Sequence, residues 1–154
     1  MSGEPPNPSP AGTRHALSGL EYFRLMAEGR LDPPAMISLL GLRIVEVEKG
    51  RVVFVGTATE QFYNGLGVAH GGYAATLLDS ALGCAINSMQ PAGRLFTTLE
   101  LKINYTRPLT REAGEVRCEA TVLHSGSRTA TAEARIVDAE GRLYAHATTT
   151  CIVV

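Results

Sequence analysis

The chain has no tryptophan, only three cysteines among 154 residues, and no surplus of charge in either direction. Each shortage excludes something. Fourteen Lys and Arg against fifteen Asp and Glu leave a formal charge of −1, which argues against a general nucleic-acid binder, since those carry a basic surplus. No block of basic residues marks a patch for an anionic membrane surface. Cys84, Cys118 and Cys151 are odd in number and far apart, so they form neither a metal spacing nor a disulfide framework. Free thiols in a reducing cytoplasm are the simple expectation. Long apolar runs are also missing. The longest, around Tyr73–Ile86, is interrupted by Asp79 and is too short to span a bilayer. The first residues lack a charged start followed by an apolar core, so no secretory leader is expected.

The length suits one domain with a real core. Four of the eight prolines fall within residues 1–15, which reads as a disordered tail, leaving residues 16–154 as a single domain. Leu17–Gly29 reads as a short helix with Leu20, Phe23 and Ala27 on one face, and Pro33–Gly41 as one or two further helical turns. Val-rich segments Leu42–Glu48 and Arg51–Thr59 around Lys49-Gly50 predict a hairpin. A helix follows over Gly71–Ser88, ended by Pro91-Ala92-Gly93. Strands are then predicted over Leu95–Tyr105, Gly114–His124, Thr129–Asp138 and Leu143–Val153. In the first of them Leu99, Leu101, Ile103 and Tyr105 alternate with polar residues. A hairpin, one long helix and four successive strands are satisfied by an α+β fold in which a curved antiparallel sheet wraps a single central helix.

The densest signal is Asn64-Gly65-Leu66-Gly67-Val68-Ala69-His70-Gly71-Gly72 and the helix it opens. Glycines at a helix start leave backbone N–H groups uncovered where the dipole adds positive potential. Such a place can hold a phosphate or a developing oxyanion. The helix is apolar nearly all round, except for a stripe of small residues, Gly72, Ala75, Thr76 and Gly83, with Asp79 among them. Asp79 can act as base or nucleophile, or simply face solvent. His70 is expected to hold the loop in shape rather than take part in chemistry, and Gly72 shares that role.

Geometry adds a constraint. At 1.5 Å rise per residue, Asp79 and the Gly71/Gly72 amides stand roughly 10–12 Å apart on one helix. A reacting carbon must lie about 3 Å from both nucleophile and oxyanion donors. A second helix running antiparallel beside the first would bring its Asp79 to the first chain's Gly71. The expectation is a homodimer with two composite sites.

The run Asn64…His70-Gly71-Gly72…Leu77-Leu78-Asp79-Ser80-Ala81 resembles the hotdog-fold acyl-CoA thioesterases, in particular the phenylacetic acid degradation branch. Two softer matches support it: Thr98-Leu99-Glu100-Leu101-Lys102-Ile103-Asn104-Tyr105-Thr106-Arg107-Pro108, and Glu133–Asp138 with Gly141–Thr148. The resemblance runs from about residue 36 to the end. It implies acyl-CoA thioester hydrolysis with neither metal nor redox cofactor, by a homodimer or a dimer of dimers. It also implies that Gly71 N–H, helped by Gly72, polarises the carbonyl. Asp79 would be nucleophile or general base, Asn64 would place water or the carbonyl, and Thr98, with Thr97 as the neighbouring alternative, would orient the water.

For such a substrate, Arg107, Arg128, Lys102 and Arg94 are candidates for the phosphates, Arg128 first. Phe62, Tyr63, Leu78, Leu82 and Phe96 are candidate walls for an aryl or medium-chain acyl group. Two other readings compete. A hotdog hydratase would work through His70, but Asn64 stands where an acid is wanted. A non-catalytic acyl-CoA-binding module would be joined to a DNA-binding region, and residues 1–35 hold no such pattern.

Overall fold

The computed structural model describes residues 13–154. Most of the expected tail lies outside them. Arg14, near its end, is packed: its guanidinium sits over the rings of Tyr22 and Phe23 at 5.0 and 5.6 Å and donates to Asn87 Oδ1.

Helix α1 (Gly19–Ala27) is two residues shorter at each end than the apolar pattern predicts. Ser18 is its N-cap, and Ser18 and Glu21 cap each other reciprocally, which satisfies donors that the first turn leaves open. Helix α2 (Ala35–Leu39) follows Pro34. Strands β1 (Arg43–Glu48) and β2 (Arg51–Thr57) form the hairpin, turning through Gly50 at φ +81°, a conformation that favours glycine. The long helix α3 (Gly71–Ser88) has the bounds read from the sequence. Strands β3 (Phe96–Tyr105), β4 (Glu115–Ser125), β5 (Thr129–Val137) and β6 (Leu143–Val153) complete the chain.

All pairings are antiparallel, in the order β1-β2-β4-β5-β6-β3. Strand β3 follows the helix in sequence but crosses to the far edge beside β6. Helix α3 touches all six strands, so the sheet curves around it. Leu77, Leu78, Ala81, Leu82, Ala85 and Ile86 of α3 are fully buried against Val116, Cys118 and Ile136 among others. This is the hotdog arrangement. Among the described residues no helix is long and apolar enough to cross a membrane.

Two regions depart from simple alternation. On β3 the register shifts between Thr98 and Glu100, and Leu99 and Tyr105 are 62% and 55% exposed. An edge strand has sheet on one side only, and a bulge breaks the period of two. Helix α1 is seated on the end of α3 through Gly19, whose N–H donates to Gln90 O. A Cβ there would stand 1.7 Å from Asn87 O, so the two backbones meet where no side chain fits. Tyr22, Phe23 and Leu31 then form a second apolar cluster with Ile44, Val47 and Cys84.

Candidate active site

The loop before α3 is built from its own hydrogen bonds. Asn64 Oδ1 accepts from Leu66 N–H at 2.8 Å, and Asn64 O accepts from Gly67 N–H. His70 N–H and Ala69 N–H tie the loop to Phe62 O and Leu109 O. His70 is the N-cap, with φ −57° and ψ 137°, and its Nδ1 accepts from Gly72 N–H at 2.9 Å. That bond uses the Gly72 amide, which the sequence had as a second oxyanion donor; capping takes it out of that role. Gly71 N–H donates to no acceptor among the described residues, and it lies where the helix potential is most positive. Tyr105 Oη donates to Gly71 O at 3.0 Å and so holds the same peptide region from β3. Asn64, Gly71, Tyr105, Arg107 and Tyr144 line one cleft of about 370 Å³.

Asp79 lies two turns further along α3. Thr98 Oγ1 donates to its Oδ1 at 2.8 Å, which selects Thr98 over Thr97 as the hydroxyl beside the acid. Thr98 stands at the β3 bulge, a device that re-aims side chains. Asp79, Thr76, Ser80 and Cys84 form one wall of a second cavity, of about 610 Å³. Helices α1 and α2 supply its roof through Phe23, Met26, Met36 and Ile37. Burial pushes the Cys84 thiol up to about 12, so it stays neutral at ordinary pH and behaves as apolar lining.

Gly71 and Asp79 are eight residues apart on one helix, about 12 Å along its axis. They open into different cavities. Within one chain no carbonyl carbon touches both.

The other expected residues scatter. Phe62 stacks on Tyr73 with ring centroids 5.0 Å apart, and Tyr63 Oη accepts from Arg111 N–H. Leu78 and Leu82 are fully buried in the core, and Phe96 is buried with Arg94 over its ring at 5.4 Å. None of these five lines the Asp79 cavity. The wall is supplied instead by α1 and α2, because Leu78 and Leu82 are taken up by the sheet. Arg107 lies over Tyr144 at the Gly71 cleft, at the start of α3. Arg128 is in the β4–β5 turn, beside Gly126 and Ser127, whose carbonyls accept from Arg94. That corner adjoins the other end of α3, where Gln90 donates to Ser125. The two arginines therefore belong to opposite ends of one subunit. Lys102 is exposed on β3.

Sequence reasoning missed two features. Tyr105 stands in the sequence within an alternating set and a softer matching run, neither of which marks it as a partner of Gly71. The amphipathic α1 carried the signal of a covering helix but not of what it covers.

The profile of the thioesterase superfamily matches residues 66–145, just over half of the chain. The chain belongs to that superfamily. A 1,4-dihydroxy-2-naphthoyl-CoA hydrolase of Listeria monocytogenes is 32% identical over 105 residues, 68% of this chain and 83% of its own. The conserved protein PA5202 of Pseudomonas aeruginosa is 34% identical with a TM-score of 0.74, covering 79% of this chain and 95% of that one. The PaaI protein of the Escherichia coli phenylacetic acid degradation operon is 25% identical with a TM-score of 0.77, covering 89% and 96%. This superfamily member is thus a PaaI-like hotdog hydrolase of the thioesterase type. Helices α1 and α2 lie outside the segment that the family profile matches.

Proposed function

We propose that the chain hydrolyses acyl-CoA thioesters to free acid and CoA in composite sites, each shared by two antiparallel copies of α3. One observation carries this reading: the free Gly71 amide and Asp79 stand about 12 Å apart on one helix and open into separate cavities. A second copy laid antiparallel and crossing near Ala75, over the Gly72–Thr76 part of the small-residue stripe, brings each Asp79 to the other copy's Gly71. The CoA hydrolase of Listeria supports the substrate class.

Gly71 N–H then receives the thioester carbonyl oxygen as charge develops on it. Asn64, whose Nδ2 has no partner among the described residues, adds a second donor from the same cleft. Thr98 occupies Asp79 Oδ1 and leaves Oδ2 to take a proton from water as the water oxygen attacks the carbonyl carbon. The C–S bond breaks, the proton passes to sulfur, and acid and thiol leave. The antiparallel pairing carries the Arg94–Arg128 corner of one copy toward the Arg107 rim of the other, so arginines from both serve the phosphates.

The test is complementation with thiol release from a panel of acyl-CoAs. Asp79→Ala and Gly71→Pro each inactivate one half of the composite site. Proline is tolerated at a first helical position, removes the N–H, and suits the extended ψ of 137° at His70. Random mixing of the two inactive chains should restore about a quarter of the parent activity, since half the dimers carry one intact site of two. No recovery in dimers shown by mass to be mixed would sink the shared site. A single turnover in isotope-labelled water separates base from nucleophile: label on Asp79 would mean direct attack by the carboxylate.

A further inference from the structure

The first two peptides of α3 are anchored from both sides of the chain. The peptide that carries the free Gly71 N–H is held by its carbonyl, since His70 O accepts from Tyr73 N–H at 2.9 Å. The next peptide, between Gly71 and Gly72, is gripped at both ends. Its carbonyl accepts from Tyr105 Oη at 3.0 Å, and its N–H donates to His70 Nδ1 at 2.9 Å. Each of these bonds polarises the amide and strengthens the other. The grip matters because two successive glycines open the helix, and glycine has the most backbone freedom to lose on ordering. The N–H groups of a first helical turn also lack intrahelical partners, so the ladder alone does not hold them.

Tyr105 contributes a hydroxyl here more than bulk. It ends β3 and is 55% exposed, so water alone could satisfy its phenol. The oxygen is turned instead onto a helix carbonyl 34 residues earlier in the chain. Its ring end lies over Gly71, and both residues line the same cleft. We propose that Tyr105 is a positioning residue for the oxyanion donor: its phenol locks the first turn of α3, so that Gly71 N–H stays aimed at the thioester carbonyl. This inference rests on the acyl-CoA reading above, and its failure is separable from the failure of that reading. A donor to developing charge acts mainly in the transition state, so the hydroxyl should govern kcat and leave KM nearly alone.

The experiment compares Tyr105→Phe with the parent on the best substrate of the acyl-CoA panel. Phenylalanine keeps the ring and removes only the hydroxyl. At so exposed a position, Tm and oligomer mass should stay near those of the parent. The expected result is a fall of about tenfold in kcat with KM within about twofold. A second measurement reads the donor itself. In the Asp79→Ala variant, the infrared carbonyl stretch of a bound, isotope-labelled acyl-CoA reports polarisation by Gly71 N–H. Adding Tyr105→Phe should move that stretch back toward the frequency of the free thioester. An unchanged kcat, or a lower kcat with the stretch unmoved, overturns the positioning role and leaves thioester hydrolysis standing. A parent enzyme that turns over no acyl-CoA overturns both.

Discussion

The two cavities that meet α3 are made by different means. The cleft at its start is held in shape by single hydrogen bonds: His70 to Gly72, Tyr105 to Gly71, Asn64 to Leu66. The cavity at Asp79 is apolar and held by packing, under a helix pair that rests on a glycine contact. Directional bonds place an atom to a few tenths of an ångström, which carbonyl polarisation needs. Packing shapes volume, which suits holding a group with no polar handle. Small local changes should therefore cost turnover at the cleft and stability at the cavity.

The sharpest way to break that contrast is at the carboxylate in the cavity wall. Asp79→Ala should lower kcat roughly a thousandfold while the oligomer mass stays unchanged. Full thiol release by that variant would remove Asp79 from the chemistry. At the cleft, Gly71→Pro should lose about a hundredfold in kcat through the missing N–H. Gly71→Ala keeps the N–H and pushes only on the Tyr105 ring end, which a Cβ would meet at 3.2 Å. It should lose far less; equal losses would mean that shape and not the donor matters there.

Gly19→Ala tests the packed side. Its Cβ overlaps Asn87 O, so α1 must lift, at a cost of about 2 kcal/mol by analogy with overpacked cores. The expected reading is a lower Tm, with turnover less affected. Thr98→Val keeps the shape and removes the hydroxyl from Asp79, for which a loss of roughly tenfold in kcat with little change in KM is expected.

The smallest effect is on acid stability, and it belongs to the cleft. Tyr144, in its wall, donates to Asp138, which also accepts from Arg142 backbone and side chain. Burial opposes ionisation of Asp138, but these bonds outweigh it and hold the carboxyl below its ordinary value. A carboxyl lowered on folding adds stability above its unfolded value and loses it as pH falls through the folded one. Asp138→Asn should therefore lower Tm at neutral pH and flatten the acid limb of Tm against pH. In the cavity wall Cys84, neutral throughout, adds nothing to that acid limb.

Much of this was legible in the residues. The bounds of α3 and β6 match the sequence reading, and the other strands shift by a residue or two, because apolar periodicity and glycine or proline stops act locally. The distance between Gly71 and Asp79 followed from helical rise alone. Thr98 was legible only to within one residue, since a bulge on an edge strand shifts the period without any mark in the local sequence.

The placement of Leu78 and Leu82 in the core was the least legible part. Leu78 and Leu82 have the right chemistry for a pocket, but size and polarity do not say which side of an apolar helix the sheet will claim. The amino-acid sequence by itself determined the elements, the central helix and the separation of Gly71 and Asp79 along it, all consequences of short-range geometry. Tertiary structure alone decided that β3 crosses to the far edge, that Tyr105 returns to Gly71, and that α1 and α2 close over Asp79. Those outcomes depend on contacts between residues dozens of positions apart, and local pattern carries no record of which distant surface will arrive.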